Sequence, residues 1–220
     1  MELSDYFPIW NELSDVEREQ LSQAAVPRTF KKGAIVSPGK IDCLGLLLVR
    51  SGQLRAYLRS TEGREFTIYR LLERDICLFS ASCIMNGLQF ELAIEAEKDT
   101  ELLIIPSEVY QSILNRSAPL ANYTNEIMAS RFSDVMWLME QILWKRMDRR
   151  LAAFLLEESS LEGEARLPLT HERIGNHLGT AREVITRMLR YFQAEGLVKL
   201  ARGVVVLTDF PRLRALSEDA

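Results

Sequence analysis

Four side chains near the C-terminus, Arg182, Glu183, Thr186 and Arg187, have the chemistry and spacing for reading base edges in double-stranded DNA. At about 100° per residue of a helix, all four lie along one face. An arginine can donate two hydrogen bonds to guanine O6 and N7, a glutamate can accept one from cytosine N4, and a threonine offers a methyl and a hydroxyl group. A charged helix face is more often a solvated surface, so the elements around these residues must decide between the two interpretations.

The surrounding residues follow a helix-turn-helix pattern. Gly175 allows a second helix to cross closely, and Gly179 suits the left-handed conformation that ends a helix. Thr170 and Thr180 are predicted to cap the first and the second helix. The apolar positions of the two helices are Ile174, Leu178, Val184, Ile185, Met188 and Leu189. Together these offsets predict a helix-turn-helix, with a plain helical hairpin as the alternative.

A predicted hairpin follows the second helix directly and has the position of a wing. Residues 197–200 and 204–207 are apolar runs on either side of Ala201-Arg202-Gly203. Arg190, Lys199 and Arg202 are better placed for phosphates than for base edges, with simple solvation as the alternative. Thr180, at the start of the second helix, completes the predicted DNA-contacting set.

The net charge of −4 and the pI of about 5.4 argue at first against a polyanionic partner. The average hides an asymmetry: residues 1–144 contain 14 basic and 20 acidic side chains, whereas residues 145–220 contain 13 and 11. Residues 170–202 alone contain six basic and three acidic side chains. The local balance sets the field that a phosphate meets, so the C-terminal part remains compatible with DNA.

The N-terminal half predicts a small antiparallel sheet domain. From Phe30 to Ile105, short apolar runs alternate with glycine-bearing turns at strand-plus-turn intervals. A helix is predicted over residues 11–26, ended by Pro27, and another over residues 107–115. The fold class is therefore α+β, with an N-terminal antiparallel β-roll of cupin-like form over residues 1–117.

A long helix is predicted over residues 118–146, and a DNA-binding domain is predicted over residues 147–220. A further helix, predicted over residues 145–160, lies at the start of that domain. In the long helix, apolar residues recur at alternating steps of three and four, which is typical of a helix–helix seam. The predicted dimer-interface residues are Met128, Val135, Leu138 and Ile142, with Phe132 in the same series. Burial of the whole helix within one chain is the alternative.

This order of parts resembles the Crp/Fnr family of transcription regulators, over nearly the whole chain. The most specific segment is residues 181–187, Ala-Arg-Glu-Val-Ile-Thr-Arg, which is similar to the recognition helix of the cyclic-AMP receptor protein. The resemblance implies that Arg182, Glu183 and Arg187 read bases, and that a homodimer binds a palindromic site. The β-roll turns that carry the resemblance are Lys32-Gly33, Pro38-Gly39, Ser51-Gly52 and Gly63-Arg64-Glu65.

Two departures from the family pattern concern the effector, whose identity stays unknown. Relatives that bind cyclic nucleotides hold the phosphate with a Gly-Glu pair and an Arg-Ser or Arg-Thr pair. Arg74-Asp75 and Phe90-Glu91 stand in those places here, and Glu91 would repel a phosphate. We therefore expect no binding of cyclic AMP.

The cysteines bear on the remaining effector hypotheses. Because the first cysteine is Cys43, the N-terminal cluster of the iron–sulfur members is also absent, and we expect no such cofactor. The predicted effector-pocket residues are Phe79, Cys83 and Phe90. A thiol signal at Cys77 and Cys83 is the alternative to buried structural thiols.

The sequence disfavours other classes of function. The two histidines lie in the helix-turn-helix, and no phosphate loop, nucleophile elbow or metal-ligand cluster is present, so we expect no enzyme. No apolar run is long enough for a membrane span, and the acidic N-terminus is unlike a secretion signal, which makes the cytoplasm the expected location. An effector-independent regulator, whose β-roll serves only dimer packing or contact with RNA polymerase, is the second hypothesis.

Overall fold

The computed structural model describes residues 2–38, 44–78 and 92–218, and the chain divides into two compact units. Unit 1 comprises residues 1–59 and 68–135, and unit 2 comprises residues 60–67 and 136–220. None of the described helices is long and apolar enough to cross a membrane.

Unit 1 begins with two short 3-10 turns, Leu3–Asp5 and Trp10–Glu12, and helix α1 (Asp15–Ala24). The helix is shorter than the predicted 11–26, because Ser14 caps it in a capping box with Glu17, and Pro27 lies in the first strand. The strands are β1 (Val26–Phe30), β2 (Ile35–Ser37), β3 (Leu46–Ser51), β4 (Leu54–Arg59), β5 (Glu65–Leu71), β6 (Ile76–Cys77), β7 (Ala93–Ala96) and β8 (Thr100–Ile105). Helices α2 (Ser107–Leu114) and α3 (Ala118–Trp144) follow, as predicted.

The strands form two four-stranded sheets, in the orders β1-β8-β3-β6 and β2-β7-β4-β5, which confirms the predicted β-roll. Strand β3 lies between two apolar cores, and its alternate residues enter different ones. Leu46 and Leu48 pack with α2 and the start of α3, whereas Leu47 and Val49 pack between the sheets. This double burial explains why β3 is a continuous apolar run in the sequence rather than an alternating one.

Paired charges lie inside unit 1, which the sequence pattern did not indicate. Glu97 Oε2 accepts hydrogen bonds from Arg70 Nε at 2.7 Å and from Gln53 Nε2 at 2.8 Å. Arg55 lies opposite Glu95 across β4 and β7, with 3.4 Å between Nη1 and Oε2. Charges this deeply buried are tolerated only when paired, so these contacts constrain the register of the sheet.

The turn between β5 and β6 contains Arg74. Among the residues that the structure describes, Arg74 is the non-glycine residue that has a positive φ (75°). Asp75 closes this turn, because its N–H donates to Leu72 O at 3.0 Å and its Oδ2 accepts from Leu72 N at 2.8 Å. The family resemblance placed Arg74 where cyclic-nucleotide relatives have glycine, and the positive φ of Arg74 is one that favours glycine.

We expect Arg74→Gly to stabilise unit 1 by up to about 1 kcal/mol, because glycine adopts the left-handed conformation without a steric penalty. Urea titration of the folded protein measures this change as a shift of the midpoint at constant slope. Glu73→Gly is the matched control in the same turn: Glu73 has no positive φ, so this substitution should destabilise. A loss of stability in Arg74→Gly would contradict the prediction.

Unit 2 contains helix α4 (Met147–Glu162), strand β9 (Arg166–Leu167), helices α5 (His171–Leu178) and α6 (Arg182–Ala194), strands β10 (Val198–Ala201) and β11 (Val204–Leu207), and helix α7 (Phe210–Glu218). The core side chains that hold these elements together are Leu151, Phe154, Leu155, Ile174, Ile185, Leu189, Phe192, Val205 and Leu213. Strand β9 joins the predicted hairpin to make a three-stranded sheet in the order β10-β11-β9. The sequence analysis had identified neither β9 nor α7.

Candidate nucleic-acid interface

Helices α5 and α6 and the turn between them form the predicted helix-turn-helix. Thr170 Oγ1 accepts from Arg173 N at 3.1 Å, which confirms Thr170 as the cap of α5, and Gly179 ends α5 with a φ of 66°. The predicted capping role of Thr180 is wrong. Helix α6 is preceded by Ala181 and has no side-chain cap, because Thr180 belongs to the turn and donates its N–H to Gly175 O at 3.0 Å.

Gly175 lets the turn approach α5 closely. A Cβ atom there would lie 2.8 Å from the backbone oxygen of Thr180 and 3.6 Å from the backbone nitrogen of Arg182. Both neighbours are backbone atoms, so neither can move aside as the end of a flexible side chain would. The close contact is therefore with the turn before α6, whereas the distance to the start of α6 is that of an ordinary van der Waals contact.

We expect Gly175→Ala to lower the free energy of unfolding of unit 2 by about 1–3 kcal/mol, because the new methyl group overpacks the turn. The gain in helix propensity, about 1 kcal/mol, opposes this loss. Glu172→Ala is the control on the same helix: Glu172 is exposed, so the change should be small. Thermal and urea unfolding, followed by circular dichroism, measure both variants, and equal stabilities would contradict the prediction.

Helix α6 has one buried and one exposed face. Ile185, Leu189 and Phe192 are buried in the core of unit 2. The opposite face carries the predicted base-reading residues and lines one open depression: Arg182, Glu183, Thr186, Arg187 and Arg190. Thr186 is half-buried and the other four are exposed.

The arginines of this face have no ion-pair partner among the residues that the structure describes: Arg182, Arg187 and Arg190. The one carboxylate that lines the same depression, Glu183, is not within ion-pair distance of any of the three guanidinium groups. Their fork geometry matches phosphate oxygens and guanine edges. The surface is thus suited to an anionic polymer.

The wing contributes two further exposed cations. Arg202 lies at the tip of the β10–β11 hairpin beside Gly203, whose φ is 69°, and Lys199 is exposed on β10. Helix α7 supports this region, because Arg212 Nη1 donates to Glu195 O at the end of α6 at 2.9 Å.

Two contacts at this interface were missed by the sequence analysis. Arg150 Nη2 donates to Leu178 O at 2.8 Å and so satisfies a carbonyl at the end of α5. His171 Nδ1 lies 2.9 Å from Thr186 Oγ1, which joins the start of α5 to the exposed face of α6. Both pairs are distant in sequence, and no local pattern indicates them.

The second half of α3 exposes large apolar side chains. The start of the helix is anchored by Leu120, which is buried, and by Thr124 Oγ1, which lies 2.7 Å from Tyr110 Oη. Further along, four residues spaced by four, three and four positions form an apolar stripe, with exposures of 67%, 47%, 47% and 67%: Phe132, Met136, Met139 and Leu143.

The seam predicted from the sequence lies beside the apolar stripe. Of its residues, Met128, Val135 and Leu138 are half-buried, and Ile142 is 41% exposed. The prediction had placed Phe132 in the series but had not included Met136, Met139 and Leu143. All four stripe residues are exposed within one chain, whereas Ile142 alone of the four seam residues is, and the sequence does not reveal this difference.

The predicted effector-pocket residues Phe79, Cys83 and Phe90 lie outside the described residues. In unit 1 an open cleft of about 290 Å³ lies between the Arg74-Asp75 turn and α3, where its lining includes Glu126 and Arg131. Cys77 is buried, and its Sγ lies 3.6 Å from Tyr69 Oη. Burial, with the neighbouring Cys77 thiol, raises the pKa of Tyr69 well above its ordinary value.

Two helices joined by a tight turn, with a hairpin directly behind the second one, define a winged helix-turn-helix, the fold of a large class of DNA-binding proteins. Residues 149–216 match the Crp-like helix-turn-helix domain family. A transcriptional regulator of the Crp/Fnr family from Eubacterium rectale has a crystal structure that matches with a TM-score of 0.96 and 60% sequence identity, over 98% of this chain and 100% of that chain. The protein belongs to the Crp/Fnr family and is a DNA-binding transcription regulator.

More distant relatives agree with this assignment. Electron transport regulator A of Shewanella oneidensis is 28% identical over 88% of this chain and 79% of its own length. Transcriptional activator protein FnrA of Stutzerimonas stutzeri is 28% identical over 88% of this chain and 81% of its own length.

Proposed function

We propose that the protein is a homodimeric regulator that binds a palindromic DNA site through α6 and responds to a small effector other than cyclic AMP. The observation that carries the DNA-binding part is the exposed face of α6, on which Arg182, Arg187 and Arg190 have no ion-pair partner among the described residues. In a helix-turn-helix the second helix enters the major groove, and its N-terminal residues reach the base edges.

The residues divide into two roles. Arg182, Glu183, Thr186 and Arg187 occupy the first half of α6 and are proposed as the base readers. The phosphate contacts are proposed for Thr180 in the turn, Arg190 farther along α6 and Arg202 in the wing. Phosphate contacts position a protein on DNA without carrying sequence information, so the two groups have separable effects.

The apolar stripe on α3 supports the homodimer. Crp/Fnr regulators bind DNA and act as dimers. Exposed large apolar residues at heptad spacing on a 27-residue helix are favourable for a coiled-coil contact with a second copy. Three of the four predicted seam residues, Met128, Val135 and Ile142, lie on the flank of this stripe, and we propose that they face the partner helix together with the stripe at the centre. Leu138, the fourth seam residue, is half-buried in its own chain and is not included.

The cleft beside Arg74 supports a sensor function for unit 1. Its volume of about 290 Å³ is near the lower end of the range for small-molecule sites, and its lining includes Arg74, Asp75, Glu126 and Arg131. A charged lining of both signs suits a small polar ligand. A thiol signal at Cys77 is less favoured than a ligand, because burial keeps the sulfur from oxidants.

Binding-site selection with the full chain tests the proposal. We expect a random duplex library to yield a palindrome whose half-sites are centred about one helical turn, roughly 34 Å, apart. The affinity for the selected duplex should fall steeply with salt concentration, as it does when lysine and arginine displace counterions from phosphates. Recovery of no preferred sequence would contradict the assignment of α6 to the groove.

A further inference from the structure

His171, the first residue of α5, is linked to the base-reading face through Thr186. Its Nδ1 lies 2.9 Å from Thr186 Oγ1, and the same Oγ1 lies 2.9 Å from the backbone oxygen of Arg182, to which it donates. A hydroxyl group has one proton, and Thr186 gives it to Arg182. Nδ1 must therefore be the donor to Thr186, which requires either the neutral Nδ1–H tautomer or the doubly protonated ring.

The surroundings of His171 favour the neutral ring in the absence of DNA. Burial lowers the pKa of His171, and the positive charges of Arg182 and Arg190 on α6 lower it further. On its own helix the neighbouring charged residues are Glu172, which is exposed, and Arg173. The other ring nitrogen, Nε2, has no hydrogen-bond partner within the part of the chain that the structure describes.

A phosphate backbone would reverse these conditions. If α6 enters the groove, the first helix of the motif crosses the phosphate backbone, and the negative charge of the phosphates offsets the positive charges of Arg182 and Arg190. The repulsion that keeps the ring neutral is then offset, and the free Nε2 can take a proton and donate to an anionic oxygen. The Nδ1–H bond to Thr186 is the same in both protonation states, so the base-reading face keeps its geometry.

We propose that His171 is a positioning residue of the DNA interface that holds Thr186 through Nδ1–H and takes up a proton when DNA binds, so that the affinity rises as the pH falls. This inference rests on the proposed function. The direction of the pH dependence follows from linkage between proton binding and DNA binding. A group whose pKa is higher in the complex than in the free protein strengthens DNA binding at a pH below its pKa in the complex. This added affinity is lost as the pH rises through that pKa.

His171→Asn is the decisive variant, because its amide places an N–H donor near the position of Nδ1 but cannot titrate. At constant ionic strength, the dissociation constant of the wild type for its selected duplex should fall between about pH 8 and about pH 5.5, by up to tenfold per protomer for each unit of pKa increase. His171→Asn should match the wild type within about threefold at the high pH and lose most of this slope. The second of the two histidines in the chain, His177, is buried against Phe154. Because His177 is present in the wild type and in His171→Asn, its effect on the pH dependence cancels when the two are compared.

The tautomer gives a readout that does not require DNA. Two-bond proton–nitrogen correlation spectra of the free protein should assign His171 to the neutral Nδ1–H form, and Thr186→Ser, which keeps the hydroxyl group, should leave that form in place. Thr186→Val, which removes the acceptor, should shift the population toward Nε2–H. A neutral Nε2–H ring in the wild type would overturn the proposal.

The outcomes also separate this inference from the proposed function. A wild type that selects no duplex contradicts both proposals. A wild type that selects a palindrome, with a pH slope that is unchanged in His171→Asn, contradicts the role of His171 alone.

Discussion

Arg187→Ala is expected to weaken binding to the selected palindrome by about 1–3 kcal/mol per half-site, while binding to random duplex changes little. Arg187 is exposed on the same face of α6 as Arg182 and has no ion-pair partner among the described residues, so its guanidinium is available to bind a guanine edge. Arg182→Ala should behave in the same way. Fluorescence anisotropy with the selected duplex and a scrambled duplex gives both affinities.

A wing variant provides the contrasting result. Arg202→Ala should weaken selected and scrambled duplexes to a similar degree and reduce the slope of log affinity against log salt by about one unit. Arg28→Ala, an exposed arginine of β1, is the control for the change in net charge and should have little effect on either duplex. If Arg187→Ala left the selected sequence and its affinity unchanged, α6 would not be the base-reading helix.

Met139→Asp is expected to convert the protein from a dimer to a monomer at micromolar concentration. Met139 lies in the apolar stripe with 47% of its surface exposed within one chain, and a carboxylate there would be desolvated without a partner in the dimer. Sedimentation equilibrium or light scattering measures the mass, and binding to the palindrome should fall with it, because one half-site cannot hold the protein alone. Ser133→Asp is the matched control, since Ser133 is exposed and lies about a third of a turn around the helix from Met139.

Cysteine cross-linking distinguishes the apolar stripe from the seam predicted from the sequence. Two copies of Met139→Cys should face one another across a two-fold axis and form a covalent dimer under mild oxidation, because the Cα atoms of parallel helices approach there. Leu138→Cys, half-buried within its own chain, should cross-link much more slowly, with the unchanged protein as the background for the native thiols. Faster cross-linking at Leu138 would favour the interface predicted from sequence spacing alone.

Local chemistry made much of the DNA-binding unit predictable from the sequence. Gly175 has no room for a side chain beside the turn, and Gly179 has a positive φ that favours glycine. Thr170 caps α5 as predicted, because a cap depends on a few neighbouring residues. The apolar run of β3 likewise indicated a strand. These features are determined over a few residues, so a sequence pattern is enough to find them.

Only the tertiary structure decided which side chains are free. The sequence predicts that Arg182 and Arg187 lie on one charged face of a helix. Their lack of ion pairs depends on where the carboxylates of other elements lie. The same holds for the Arg70–Glu97 pair and for the bond between His171 and Thr186, whose partners are 27 and 15 residues apart. Hydrogen bonds and ion pairs act over a few ångströms in space, and helical or strand periodicity carries no information about a contact made between separate elements.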